Sequence, residues 1–358
     1  MMSVVNQRIT GLDVSRSIAV LGMVFVNFKI VIGYEFEGIL SWFYSHFVEG
    51  RAVAVFVILA GIGLTVNLKS DDLGDENRLR KKRQNIVRRS LFLFILGVML
   101  CPFWPADILH FYGIYYLIGA WLLGRSEKVL WGFISFFLIG FLIYFLTADY
   151  EASWDFKNLE YIDFWTAEGF FRNLFFDGFH PVFSWITFFL LGMILGGRNL
   201  RDASVRRRIS KVALICFGVS LLLTSIVDVY FRSVLTPELY DEFYVFVLPS
   251  PLPPLPQYFV EAGGFAVFLI CQIIGWCQKA EQSPIVRLLK AGGKTALTLY
   301  VAHIFFGILP LYLFGEPNFY LLLASTLLCF GLSLFSSKMW LKNFRQGPLE
   351  AICNKLTR

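Results

Sequence analysis

All four histidines of this 358-residue chain lie inside, or at the edges of, long apolar stretches. Three of them, His46, His110 and His180, come close to where such a stretch begins, and Asp107 stands one helical turn before His110. A neutral imidazole can take a proton from a hydroxyl or amine near pH 7, and a neighbouring carboxylate can orient it. The three histidines are therefore candidates for a general base. The alternative is that each one simply lies at a polar boundary.

A second set of polar residues lies deeper in the apolar stretches. Asn27 and His303 fall near the middle of two of them, Glu261 lies about one turn inside a third, and Arg51 opens a fourth. A polar group in hydrocarbon costs on the order of several kcal/mol unless it is paired or hydrated. We therefore predict that His303, Glu261, Asp107 and Arg51 line a path through the protein and that Asn27 faces the same cavity as His303. For Asn27 the alternative is an interhelical hydrogen bond.

Composition assigns the chain to the integral membrane proteins. Hydrophobic residues make up 57% and charged residues 16%, and the mean hydropathy is +0.63; soluble domains carry about 25% charged residues. Ten stretches with little charge are long enough to cross about 30 Å of hydrocarbon as helices. They cover residues 12–34, 52–68, 90–106, 108–124, 129–148, 181–197, 212–231, 257–277, 295–315 and 319–336. We expect an all-α membrane bundle of about ten transmembrane helices, forming one domain over residues 1–358.

The distribution of basic residues predicts the orientation. With the N-terminus inside, 27 of the 32 Lys and Arg residues fall on the cytoplasmic side, as the positive-inside rule requires. Both termini are then cytoplasmic, and a bacterial inner membrane fits best. The basic total reflects this orientation and does not indicate nucleic-acid binding.

Two segments between the spans are long enough to have structure of their own. Residues 69–89 are acidic and then basic, which predicts a solvated cytoplasmic connector. Residues 149–180 are rich in aromatic side chains, which favour the headgroup level, so we predict an interfacial helix around 164–176. That helix either covers a site as a lid or anchors the loop. Five of the six cysteines lie in spans and none shows zinc-ligand spacing, so we expect no metal site.

Five short motifs together resemble one family. They are RITGLDVSRSIAVLGMVFVN at 8–27, DILHFYGI at 107–114, GFHPVFSW at 178–185, GKTALTLYVAH at 293–303 and GPLE at 347–350. In this order they are similar to the membrane acyltransferases related to lysosomal heparan-α-glucosaminide N-acetyltransferase, and to their bacterial relatives. The likeness spans the whole chain. It departs from the family pattern at Ser17, where a glycine is usual.

This resemblance implies a transmembrane acyltransferase-like bundle. Acetyl-CoA would enter from the cytoplasm, and its acetyl group would pass through a tunnel to an acceptor at the outer face, such as a sugar, glycan or amine. Asn27 matches the family's intramembrane asparagine and would donate to the thioester oxygen, worth about 3–4 kcal/mol in a low-dielectric site. The family's catalytic histidine follows that asparagine on the outer side, where His46 is the next histidine here. Basic residues, among them Arg16, Arg198 and Lys294, would hold the CoA phosphates.

A second class of function suits the same features. A bundle with polar residues at mid-depth also fits a transporter or exporter of a small molecule or lipid-linked substrate, although no inverted repeat with matched broken helices is visible. A non-catalytic membrane scaffold is the third reading. The expected partners are membrane lipids, acetyl-CoA and the outer acceptor, and the oligomeric state stays open, a homodimer included.

The predicted orientation has a direct test. Single cysteines placed in the 149–180 loop should react with a membrane-impermeant thiol reagent in intact cells, and cysteines in the 69–89 segment should react only after lysis. Labelling of the 69–89 segment from outside would contradict the predicted topology.

Overall fold

The computed structural model describes residues 8–66, 68, 72, 74–155 and 160–357, apart from the side chains of residues 241 and 242. Sixteen α-helices account for most of these residues. They are α1 (Thr10–Val31), α2 (Gly38–Phe47), α3 (Arg51–Thr65), α4 (Glu76–Leu100), α5 (Leu109–Leu122), α6 (Glu127–Thr147), α7 (Ala167–Arg172), α8 (Val182–Gly196), α9 (Ala203–Val234), α10 (Pro237–Val247), α11 (Pro256–Lys279), α12 (Pro284–Lys294), α13 (Ala296–His303), α14 (Leu309–Phe314), α15 (Phe319–Trp340) and α16 (Pro348–Thr357).

Two further kinds of element complete the described chain. Five-residue π-helical segments, Asn173–Asp177 and Ile304–Ile308, directly follow α7 and α13. The strands β1 (Trp154–Asp155) and β2 (Glu160–Tyr161) pair antiparallel and are the only strands within the described ranges.

Local sequence signals set where several helices begin. Asp75 and Asp202 accept hydrogen bonds from the first free backbone N–H groups of α4 and α9, the usual role of an N-cap aspartate. Pro237, Pro256 and Pro284 stand at the first positions of α10, α11 and α12, where the missing N–H of proline costs nothing.

The all-α membrane bundle is confirmed. A helix lies at each of the ten predicted spans, and seven helical stretches are long and apolar enough to cross a membrane. An eighth arises if the bent pair Ala167–Asp177 and Val182–Gly196 is one span. The two other predicted spans fall short by this measure, because α4 carries arginines in its first half and α5 has only 14 residues.

Several local predictions differ from the structure. From Glu76 onward the predicted 69–89 connector is the charged first half of α4; residues 69–71 and 73 lie outside the described part. The predicted ninth span, residues 295–315, is interrupted by the π-helical segment after His303. The short helices α2, α10, α12 and α16 lie outside the predicted spans. They are too short or too charged to be recognised by a search for apolar stretches of about 20 residues.

Four helices, α1, α3, α8 and α11, pack together in the middle of the bundle. Glycines permit the closest of these contacts. A Cβ atom at Gly61 would lie 2.0 Å from the carbonyl oxygen of Phe189, and one at Gly192 would lie 2.1 Å from that of Ile58. Helices in lipid associate through such close packing. The outer helices α9 and α15 instead expose many large apolar side chains, as lipid contact requires.

The loop between α6 and α8 is held by one arginine and one aspartate. Arg172 lies 2.6 Å from Asp163 and 3.3 Å from Asp177, with its guanidinium over the ring of Tyr161. Asp177 accepts a hydrogen bond of 2.7 Å from the Tyr161 hydroxyl, and its carbonyl accepts one of 2.7 Å from the indole of Trp154. These contacts fix the segment that leads into α8.

The helix predicted around 164–176 is α7 together with its π-helical continuation. Trp165 and Phe171 are 68% and 60% exposed and point their rings outward. Phe164 turns inward, with its ring centroid 6.2 Å from that of His110. The segment therefore covers one candidate histidine while presenting apolar rings to its surroundings.

The glycine contacts between α3 and α8 predict a stability difference. Gly192→Ala should lower the free energy of unfolding by about 1–3 kcal/mol, because the added methyl group overpacks the crossing. Gly218→Ala is the matched control, since a Cβ at Gly218 meets nothing within 4 Å. Thermal unfolding of the purified variants measures both. Equal melting temperatures for the two variants would contradict the predicted crossing.

Candidate functional site

A cavity of about 1250 Å³ lies at the face of the bundle where α1 begins and α5 ends. We call it the basic cavity, because eight basic side chains and three acidic ones line it: Arg8, Arg16, Lys82, Arg89, Arg125, Arg198, Arg201 and Lys294, with Asp13, Glu127 and Glu350. Pockets for drug-sized ligands measure about 300–1000 Å³. This cavity therefore suits a large anionic ligand.

The basic cavity extends deep into the bundle. Its lining includes Arg125 just beyond the end of α5, then Tyr116 and Tyr112, and finally Leu109 at the other end of the same helix. The 14 residues of α5 span about 20 Å at 1.5 Å per residue. The deep end is apolar, with Phe56 packed against Tyr112 at 5.7 Å between ring centroids. The lining of the cavity thus has a charged mouth and an apolar interior.

The three predicted CoA-binding residues all line this cavity. Arg16 pairs with the buried Asp13 at 2.9 Å, and Arg198 pairs with Glu127. Lys294 forms no ion pair with the described residues, and burial, with Arg8 and Lys290 nearby, lowers the pKa of its ammonium group. An anion beside Lys294 would relieve this repulsion.

Five further cations of the lining were not singled out from the sequence, and two of them, Arg8 and Lys82, pair with Asp13 and Asp72. Arg89, Arg125 and Arg201 form no ion pair in the part of the chain that the structure describes. Arg89 lies over the ring of Tyr116, 5.1 Å from its centroid. In the sequence these arginines lie in basic segments between the predicted spans. Nothing there distinguishes them from basic residues whose only role is to set the orientation in the membrane.

Asn27 and His303 meet inside the bundle. The amide nitrogen of Asn27 lies 2.9 Å from Nε2 of His303. Nδ1 of His303 contacts the carbonyl oxygen of Tyr300, which requires a hydrogen on Nδ1. Nε2 is then the acceptor, so Asn27 donates one amide hydrogen and keeps the second for another acceptor. The interhelical hydrogen bond expected as the alternative for Asn27 is therefore present and leaves one donor free.

Tyr300 connects this pair to a second one. Its hydroxyl donates to Asp107 at 3.0 Å, and the other oxygen of Asp107 lies 3.4 Å from Nδ1 of His110. Nε2 of His110 is buried and has no partner among the described residues. The thiol of Cys101 lies 3.6 Å from the same Nδ1, so thiol, carboxylate and imidazole are close enough to hold a metal ion. The two pairs thus meet at Tyr300, whose backbone carbonyl contacts His303 and whose hydroxyl contacts Asp107.

His180 lies among aromatic rings. Its backbone carbonyl accepts a hydrogen bond of 2.6 Å from the hydroxyl of Tyr115, and its ring centroid lies 4.9 Å from that of Trp185. Nδ1 of His180 is buried without a partner in the described structure. No carboxylate of the described residues hydrogen-bonds to this imidazole, in contrast to those of His46 and His110.

His46 belongs to a separate buried cluster. Its Nδ1 lies 3.0 Å from Glu261, and the guanidinium of Arg51 lies 2.5 Å from the same carboxylate oxygen. Arg51 also donates to the carbonyl of His46 and lies over the ring of Tyr258. A neutral His46 therefore donates from Nδ1 and keeps the lone pair on Nε2 free. Gly50, at φ +69°, makes the turn between α2 and α3 that brings His46 and Arg51 together.

The predicted site residues therefore fall into three groups. Arg16, Arg198 and Lys294 line the basic cavity; Asn27, His303, Asp107 and His110 form the two pairs that meet at Tyr300; His46, Arg51 and Glu261 form the third cluster. The His180 side chain forms no hydrogen bond or ion pair with these groups among the described residues, although its ring centroid lies 5.9 Å from that of Phe111, the neighbour of His110. Sequence reasoning missed Tyr300, although it lies one turn before His303 and could have been found by listing polar side chains on that helix face.

The His46 cluster predicts a large cost for removing one charge. Glu261→Gln should lower the free energy of unfolding by about 3–5 kcal/mol, because it leaves the buried Arg51 unpaired. Glu168→Gln is the matched control: Glu168 is 88% exposed and lies 3.7 Å from Arg172, so its loss should cost at most about 1 kcal/mol. Thermal unfolding in detergent compares the two. A Glu261→Gln protein as stable as the control would contradict a buried ion pair.

Comparison with protein families agrees with these observations. The model of the catalytic domain of heparan-alpha-glucosaminide N-acetyltransferase matches residues 8–226, and that of a family of unknown function, DUF418, matches residues 199–358. No curated protein matches the chain. The first match covers α1 to most of α9, with the cavity lining from Arg8 to Arg201, and supports a membrane acetyltransferase-like function. By this match over more than half of its length, the chain belongs to the heparan-alpha-glucosaminide N-acetyltransferase catalytic-domain family.

Proposed function

We propose that the protein transfers an acetyl group from cytoplasmic acetyl-CoA to an acceptor on the other side of a bacterial inner membrane. The observation that carries this proposal is the basic cavity. It combines a cationic mouth with an apolar interior, and its lining follows α5 from Arg125 to Leu109. A CoA thioester has the matching distribution of charge, with phosphates at one end and a long, nearly neutral arm at the other.

The phosphates of CoA would lie at the mouth of the cavity. Arg89, Arg125, Arg201 and Lys294 are the cations there that no described carboxylate neutralises. Charge-assisted hydrogen bonds from such groups to phosphate are roughly twice as strong as neutral ones. Arg16 is oriented by Asp13 and would add a positioned donor at the inner edge of the mouth.

The acetyl group would then arrive near the two pairs that meet at Tyr300. Leu109, at the deep end of the cavity, is the neighbour of His110 in α5. We propose that His110 and Asp107 position the thioester end of the donor. The free amide hydrogen of Asn27 would donate to the carbonyl oxygen as negative charge develops on it.

His46 is our proposed general base. It has the shorter contact to a carboxylate, 3.0 Å against 3.4 Å for His110. Its helix α2 also lies close to the end of α1 that carries Asn27, because the ring of Tyr44 in α2 lies 5.4 Å from Lys29 in α1. Nε2 of His46 would take the proton of an acceptor hydroxyl or amine as its oxygen or nitrogen bonds to the acetyl carbon. The carbon–sulfur bond then breaks, and the proton goes to the leaving CoA thiolate.

Binding of CoA tests the first half of the proposal. Acetyl-CoA should raise the melting temperature of the purified protein in a saturable manner, and the effect should weaken as salt is added. The double variant Arg89→Gln, Arg201→Gln should lose most of this stabilisation, by about tenfold or more in Kd. The double variant Arg207→Gln, Arg208→Gln removes two exposed charges nearby and should keep it. Absence of saturable binding even at low salt would favour the transporter alternative.

Kinetics of the histidine variants test the second half. His46→Ala should lower kcat for acetyl transfer by about 10²–10⁴, as the loss of a general base does, while acetyl-CoA still binds. His110→Ala should act mainly through the KM for acetyl-CoA, and His180→Ala should change both constants least. Near-normal kcat in His46→Ala together with a large loss in His110→Ala would assign the base to His110 and contradict our assignment.

A further inference from the structure

A second, smaller cavity lies beside the basic one. It has a volume of about 210 Å³ and lies between α12 and the end of α15. We call it the α12–α15 pocket. Five cations line it, Arg287, Lys290, Lys294, Lys338 and Lys342, and no acidic side chain does. Only Lys294 is shared with the basic cavity.

The two helices are held together tightly enough to keep these charges close. A Cβ atom at Gly292 would lie 2.5 Å from a methyl group of Leu334, so the helices approach closely there. The hydroxyls of Thr295 and Ser337 hydrogen-bond at 2.7 Å. These residues are the chain neighbours of Lys294 and Lys338. The pocket is therefore a fixed feature of the packing between α12 and α15.

The cations of the pocket form no ion pairs within the described part of the chain. Between residues 282 and 349 the sequence has one acidic residue, Glu316, and it precedes the start of α15 whereas the pocket lies at the end of that helix. Five like charges around so small a volume repel one another, and an anion between them would remove that cost.

The pocket also lies at the level of a membrane surface. α15 is one of the helices able to span a membrane, and Lys338, Leu341 and Lys342 stand at its end beside Trp340. Trp is typical of the membrane–water interface. Ile285 on α12 is 61% exposed, so an apolar side chain lies on the same helix as Arg287 and Lys290. A headgroup in the pocket would have acyl chains beside apolar protein surface.

We propose that the α12–α15 pocket binds the phosphate-bearing headgroup of an anionic phospholipid. Basic pockets between membrane helices on the cytoplasmic side are suited to such headgroups. The bound phosphate would lie among Lys290, Lys338 and Lys342, with Lys294 between the lipid and the basic cavity. The lipid would thereby hold α12 against α15 next to the proposed donor site.

Titration of the purified full-length protein tests this assignment. Native mass spectrometry with phosphatidylglycerol should show saturable binding that phosphatidylcholine lacks. The triple variant Lys290→Gln, Lys338→Gln, Lys342→Gln should bind phosphatidylglycerol on the order of a hundredfold more weakly, because each cation near the surface contributes about fivefold. The control is Arg207→Gln, Arg208→Gln, Lys211→Gln, which removes three exposed charges from α9 and should bind as the unaltered protein does.

Three results would overturn the proposal. Equal losses in the two triple variants would show a general attraction to the basic face. Inorganic phosphate binding as tightly as the lipid through the same three lysines would make a soluble phosphate the occupant. Displacement of phosphatidylglycerol by CoA in the unaltered protein would assign the pocket to the nucleotide end of CoA. A folded triple variant is verified by its unchanged melting temperature in phosphatidylcholine.

Discussion

Hydrocarbon offers no water to a buried charge, and this constraint explains which residues of the bundle meet. Glu261 is fully buried, and its negative charge is stabilised there because His46 and Arg51 both contact it. Asp107 is fully buried and is held by Tyr300 and by backbone N–H groups. These two buried carboxylates are thus stabilised by partners that neighbouring segments supply. The contacts that stabilise the buried charges therefore also fix the positions of the helices that carry them.

This constraint explains which polar groups of the site lie at the face of the bundle and which lie deep inside it. Cations that form no ion pair with described residues line the basic cavity and the α12–α15 pocket, where anions and water can reach them. Farther in, the unused groups include Nε2 of His110, Nδ1 of His180 and one amide hydrogen of Asn27, none of which has a partner among the described residues. Two π-helical segments lie next to His180 and His303, and such segments are frequent at functional sites. The unused groups are those that a reacting carbonyl or thioester would need.

The sequence predicts the class of fold and much of the site, for identifiable reasons. Hydropathy locates the helices at all ten predicted spans, and a search for polar residues inside them or at their edges finds Asn27, His303, Asp107 and Glu261. It does not predict which of these pair, because pairing depends on how α1, α11 and α13 cross. Tyr300 escapes notice since tyrosine is common in membrane helices, and the charged turns at the start of α4 look like a loop. The role of Gly61 and Gly192 is apparent only from the structure, because it depends on the close contact between α3 and α8.

We propose that acetyl-CoA occupies the basic cavity with its acetyl end toward Leu109. A cryo-EM structure of the protein with saturating acetyl-CoA would show whether it does. We expect density for the phosphates among Arg89, Arg201 and Lys294, and a continuous arm that follows α5 to the neighbourhood of His110. Density for CoA elsewhere on the protein, or an empty basic cavity at saturating acetyl-CoA, would contradict it.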